Sequence, residues 1–167
     1  MAATNGWDQF LTHISGFYSA KKDEWTKQNV CEMCAIYGLD GTLWAASPKW
    51  KALSEYDFTV EGLGDESKQV KVNEFKIADE VSKGQRNPSD AGVRLCGQKF
   101  MFKNHMDGVT MLSKGGGGGG SVGRTNKAIV IAIFEKDTMM TNKQVQNPGD
   151  VTICLERVCK FMNAAGF

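Results

Sequence analysis

The sequence predicts an α+β domain in which helices cover the faces of one antiparallel sheet. Three observations carry that prediction. Apolar residues recur at helical spacing near both ends of the chain. Between them lie short runs of alternating or β-branched character, joined by tight turns. A single helical stretch interrupts those runs, giving the order helix, strands, helix, strands, helix, and the short connections suit consecutive antiparallel strands.

Each element has its own signal. Trp7, Phe10, Leu11, Ile14 and Tyr18 share a helical stripe, so residues 5–19 read as an amphipathic helix. Two apolar runs, 31–38 and 42–46, flank Leu39-Asp-Gly41, and Asp-Gly between such runs marks a hairpin. Residues 57–60 and 68–72 alternate in polarity around a polar tip and predict a second hairpin. Asn73 is placed to cap a short helix bearing Phe75, Ile77, Ala78 and Val81, with Gly84 to end it. Residues 92–96, 99–103, 109–112 and 127–134 then read as a four-stranded meander whose last, least polar strand is central. Val151, Leu155, Val158 and Met162 mark a closing helix, with Asp150 as its N-cap.

The chain of 167 residues, 41% hydrophobic, suits one domain with one core. A net charge of +1 gives no global field for nucleic acid. Local charge is uneven: residues 94–127 hold six Lys or Arg against the single acid Asp107, and residues 57–80 hold seven acids against three lysines. The N-terminal residues lack a secretory pattern, and no run approaches the roughly 20 apolar residues of a membrane span, so a cytosolic protein is expected. Five cysteines, an odd number, fit reduced and partly buried thiols better than a disulfide framework.

Apparent catalytic motifs fail on context. The stretch from Gly118 through Gly123-Arg124-Thr125 nearly matches a phosphate-binding loop, but Arg stands in place of Lys and a β-branched strand follows where a helix is needed. It reads instead as a flexible turn between strands. Cys31-x-x-Cys34 has half a zinc spacing without a second matching pair, and residues three apart in a strand face opposite sides. His13 and His105 stand without a nearby catalytic pattern and read as surface or packing residues. No enzyme, metal or cofactor is implied.

Aromatic residues gather at the chain ends: Trp7 and Phe10 on the first helix, Trp44 on the first hairpin, Phe161 and Phe167 at the close. If the terminal helices pack side by side, the five share one surface; judged singly, Trp7 and Phe10 suit the core. Here the sequence resembles the profilin family. Trp7-Asp-Gln-Phe10 is similar to the family's opening aromatic pair, Ile36-Tyr-Gly-Leu-Asp-Gly-Thr-Leu-Trp44 to its first hairpin, and Leu95-Cys-Gly97-Gln-Lys99-Phe to its Leu-Gly-Gly-x-Lys-Tyr strand. Arg124-Thr-Asn-Lys-Ala-Ile-Val and Leu155-Glu-Arg-Val-Cys-Lys-Phe161 complete the series in the family's order.

The resemblance implies a profilin-like sheet with the N- and C-terminal helices on one face and a short helix on the other, in a single domain spanning 1–167. It implies a groove for proline-rich segments, such as those of formins, built from Trp7, Phe10, Trp44, Phe161 and Phe167. Three of these are phenylalanines where relatives often carry hydrogen-bond donors, so the groove should bind comparatively weakly. It further implies an actin-monomer face comprising Lys99, Phe102, Lys114, Arg124, Gly149, Thr152, Ile153 and Arg157; acidic phosphoinositide head groups are expected to compete for the same basic surface, since Lys and Arg attract anionic lipid. The expected protein is a cytoplasmic, cytoskeletal monomer. Two departures stand out: the six-glycine run 115–120, expected to form a mobile loop, and the insertion 50–72, expected to form an arm that adds an actin contact. A longin- or roadblock-like trafficking scaffold shares the layered plan, but it needs no exposed aromatics at both chain ends.

Overall fold

The computed structural model describes residues 6–19, 22, 24–62 and 66–167. Helix α1 (Asp8–Ile14) is shorter than the predicted 5–19, and residue 5 lies outside the described residues. Its end has a local cause. The amide and hydroxyl of Ser15 both donate to the Leu11 carbonyl, at 3.2 and 3.1 Å, and Gly16 follows. The chain then leaves as β1 (Gly16–Ser19), which pairs antiparallel with β2 (Glu24–Lys27), a hairpin the helical reading of Tyr18 had absorbed.

Strands β3 (Met33–Gly38) and β4 (Leu43–Ala46) form the first hairpin, with Gly41 at φ 91° and the Asp40 carboxylate accepting from the Thr42 amide at 2.9 Å. β5 (Glu55–Glu61) and β6 (Ser67–Asn73) pair as a separate two-stranded ribbon. In α2 (Glu74–Ser82), the Asn73 side chain caps the helix by accepting from the Lys76 amide at 3.0 Å. There follow β7 (Val93–Leu95), β8 (Gln98–Met106), β9 (Val109–Ser113), β10 (Gly119–Arg124), β11 (Ala128–Phe134) and α3 (Pro148–Ala164). The N-cap of α3 is Asn147, not Asp150: its side chain accepts from the Asp150 amide at 3.0 Å and Pro148 occupies the first turn, where a missing N–H costs nothing.

Seven strands form one sheet in the order β4-β3-β11-β10-β9-β8-β7. The meander therefore has one strand more than expected. Gly119–Arg124, expected to be loop and turn, is strand β10, paired on both sides with β9 and β11. The glycines there are close-contact positions. A Cβ on Gly119 would lie 2.3 Å from the Leu112 carbonyl oxygen, and one on Gly123 would lie 2.6 Å from the Cys159 sulfur of α3. Only residues 115–118 of the glycine run lie in the turn.

β11 explains how both faces are covered. Ala128, Val130, Ala132 and Phe134 point to the α1/α3 side, while Ile129, Ile131 and Ile133 point to the α2 side. Small residues at the first three positions let α3 lie close to the sheet. The terminal helices thus cover one face and the short helix the other. The insertion is no free arm. Tyr56, Phe58 and Val60 alternate inward onto the α2-side core, and the Arg94 guanidinium lies 3.7 Å from the Phe58 ring centroid. Fully buried Glu74 ties its base down, with Oε1 accepting from the Ser54 amide at 3.0 Å and Oε2 from the Tyr56 hydroxyl at 3.1 Å and the Gly97 amide at 2.9 Å. The hairpin tip, 63–65, lies outside the described residues.

All five cysteines are buried free thiols. Cys31 and Cys34 face the same side, contrary to the strand-alternation reading, because Cys31 precedes β3 and the chain bends at Glu32.

Candidate functional site

The aromatic residues of three elements converge. Trp7, just before α1, stacks on Trp44 of β4 with ring centroids 4.4 Å apart and meets Phe167 edge-on at 4.6 Å. Phe10, one helical turn on, lies 5.5 Å from Trp7 and 5.9 Å from Phe161 of α3. Local backbone makes this possible. The Trp44 indole fits over Gly38, where a Cβ would stand 2.8 Å from Nε1, and the Phe167 amide donates to the Met162 carbonyl at 2.9 Å, folding the last residue back against the helix.

The five do not contribute equally. Phe10 is 6% exposed and forms the floor, as its helical stripe suggested; Phe161 is 49% exposed at the rim; Trp7, Trp44 and Phe167 are half-buried between them. The resulting strip offers flat apolar rings. His13, read from sequence as an isolated surface or packing residue, belongs to it: its ring lies edge-on to Phe10 at 5.8 Å and to Phe161 at 5.9 Å. Burial lowers its pKa, favouring the neutral imidazole. Its position one turn beyond Phe10 was the available sequence signal.

The residues of the second predicted face are divided by the sheet. On the α3 side, Gly149, Ile153 and Arg157 are exposed at four-residue intervals along one helix face, and the Thr152 hydroxyl lies 3.0 Å from that of Ser121. Lys99 is exposed on β8 and points away from core residue Phe100. Met101 and Met106 of β8, 49% and 66% exposed, and Ile153 of α3, 45% exposed, are the large apolar residues left uncovered on this side. Sequence reading missed these methionines because nothing in their spacing separates an uncovered strand margin from a core.

The others are elsewhere or engaged. Phe102 faces the α2 side under the Arg86 guanidinium, 4.9 Å from its ring centroid. Arg124 also lies on that side, donating to Asp79 at 2.6 Å and to the Ser82 hydroxyl at 3.1 Å. Burial works to raise the Asp79 carboxyl, but Arg124 and then Lys83 outweigh it and leave it below the usual carboxylate value. The Lys114 ammonium, 13% exposed, is held by Glu135 at 2.6 Å and Gln98 at 2.9 Å. Among the described residues no cluster of three or more His, Cys, Asp or Glu could hold a metal ion, and no helix is long and apolar enough to cross a membrane.

Known proteins share this fold. A profilin from Tetrahymena pyriformis is 28% identical over 168 residues, covering 98% of this chain and 99% of that relative. Acanthamoeba castellanii profilin IA superposes with a TM-score of 0.60 at 16% identity, covering 97% of this chain and all of that one. Mouse profilin IIa, solved in complex with a double repeat from the FH1 domain of mDia1, superposes with a TM-score of 0.58 at 14% identity, covering 97% and 99%. The family model for profilin matches residues 16–167. That match spans most of the chain, and the antiparallel sheet with its terminal helices agrees with it, so the chain belongs to the profilin family.

Proposed function

We propose that this chain is a single-domain, non-enzymatic profilin that binds monomeric actin on one face and proline-rich segments on another, and so regulates actin polymerisation in the cytoplasm. The observation that carries this reading is the convergence of Trp7, Trp44, Phe161 and Phe167 over Phe10. A polyproline II ligand is stiff, loses little entropy on binding and offers flat rings for stacking. The complex of mouse profilin IIa with an FH1 repeat supports a ligand of that chemistry, including formin segments.

The actin surface of this reading is the α3-side margin: Lys99, Thr152, Ile153, Arg157 and Gly149, with Met101 and Met106 supplying apolar area. Exposed cations there suit an acidic partner and act on encounter rate and register more than on affinity. Phe102 and Arg124 face the other side of the sheet and Lys114 is engaged by Glu135 and Gln98, so in this reading the three are peripheral to the contact. Phosphoinositide headgroups compete for Lys99 and Arg157 only weakly, because these cations are not densely clustered. Two assays test the reading together: retention on immobilised polyproline, and a concentration-dependent delay in spontaneous assembly of fluorescent actin. Loss of the first alone removes the groove; loss of the second alone removes the actin face.

A further inference from the structure

We propose that Cys31 and Cys34 form a dithiol modification site, reached through a solvent-open cavity beside α1, which a small disulfide oxidises to an intramolecular disulfide. The cavity has a volume of about 480 Å³. Its walls include Leu11 and Thr12 of α1, Ser15 at the helix end, the Glu32 bend and residues 47–49 after β4. Exposed Thr12, Pro48 and Lys49 mark its mouth, while Cys31 and Cys34, 4% and 2% exposed, lie inside. That volume is enough for a small disulfide.

Local geometry selects this pair from the five thiols. In a straight strand, residues three apart have Cα atoms about 10 Å distant and opposed side chains, too far for a disulfide. The bend at Glu32 brings the two thiols within hydrogen-bond reach of each other, and both residues line the one cavity. Cys34 is fixed, since its amide donates to the Ser47 hydroxyl and its carbonyl accepts from the Ser47 amide, both at 2.9 Å. Cys31 lies just before the strand, between the amides of Val30 and Glu32, which donate to the Ser15 and Ile133 carbonyls at 3.2 and 2.8 Å. The remaining thiols do not line the cavity: Cys96 donates to the Lys51 carbonyl at 3.0 Å, Cys154 to the Gly16 carbonyl at 2.9 Å, and Cys159 packs against Gly123.

The exchange balances without further reagents. One thiolate attacks a sulfur of the disulfide RSSR and expels RS⁻; the second thiolate attacks the mixed disulfide and expels the other RS⁻. Both thiol protons pass to the released thiolates, so the protein loses two hydrogens and RSSR becomes two RSH. Cys34 beside it, burial, and the charges of Cys154 and Glu32 all raise the Cys31 pKa. Reaction is therefore slow at neutral pH and accelerates as pH rises, because only the thiolate attacks.

The test incubates the reduced full-length protein with hydroxyethyl disulfide, then unfolds it, alkylates it with a maleimide and measures intact mass and peptide masses. The expected product has lost two hydrogens, carries three maleimides instead of five, and maps its disulfide to Cys31 and Cys34. Cys31→Ser and Cys34→Ser should each stop at a mixed disulfide; if either fails to fold, the wild-type peptide map alone decides. Five alkylated thiols, a persistent mixed disulfide in the wild type, or a bridge involving Cys96, Cys154 or Cys159 would overturn the proposal.

Discussion

The indole rings of Trp7 and Trp44 stack with centroids 4.4 Å apart and planes 27° from parallel, joining the start of α1 to the first hairpin. Gly38 makes room for that stack. Gly38→Ala would place a methyl 2.8 Å from the Trp44 indole nitrogen and 2.9 Å from an Asp40 carboxylate oxygen. The expected outcome is a shifted Trp44, a loss of about 1–3 kcal/mol of stability from overpacking and several-fold weaker proline-peptide binding. Thermal melts and calorimetric titration check both.

Phe161 is the exposed rim of the strip and lacks a donor, whereas a proline-rich ligand presents carbonyls as acceptors. Phe161→Tyr should strengthen peptide binding by about two- to tenfold, the equivalent of one net hydrogen bond of about 0.5–1.5 kcal/mol. Titration of both proteins with the same peptide measures the difference. Unchanged affinity would place the ligand away from this ring.

Buried Glu74 holds Ser54, Tyr56 and Gly97 at once. Glu74→Ala leaves those donors without an acceptor and should destabilise the fold by about 3–5 kcal/mol. Tyr56→Phe removes one bond and should cost about 1 kcal/mol. Denaturant melts give both values. Because Tyr56, Phe58 and Val60 cover core, cutting out 57–71 should also lower stability, so an actin contact by the insertion is better probed through its outward-facing Lys71.

The Asp79–Arg124 pair links α2 to β10. Since the folded-state pKa of Asp79 lies below its unfolded value of 3.8, the pair's contribution is fully present above that value and is lost as pH falls through the folded pKa. Asp79→Asn should therefore melt lower than wild type at pH 7, and the gap should close as pH falls below 3.8 and through the lowered folded pKa. A gap independent of pH would assign the effect to packing.

The sheet's middle was legible in part. Ala128–Phe134 declared itself by continuous apolar character, but its neighbour Gly119–Arg124 did not, because three of its six residues are glycine. Strand identity there comes from pairing on both sides and from close contacts above Gly119 and Gly123, which no local propensity reports. The convergence of the five aromatic residues was legible because they lay at both ends of the chain and on the first hairpin. The ion pairing of Lys114 and Arg124 was not: they are engaged by Glu135 and Asp79, partners 21 and 45 residues away.

The central claim is that the aromatic strip is a proline-rich binding groove, and titration with a proline decamer followed by tryptophan fluorescence tests it most directly. The account predicts a saturable change in the wild-type protein and at least about tenfold weaker binding in Trp7→Ala, as expected for a buried aromatic anchor. No change up to millimolar peptide, or an unaltered curve in a folded Trp7→Ala variant, would contradict it.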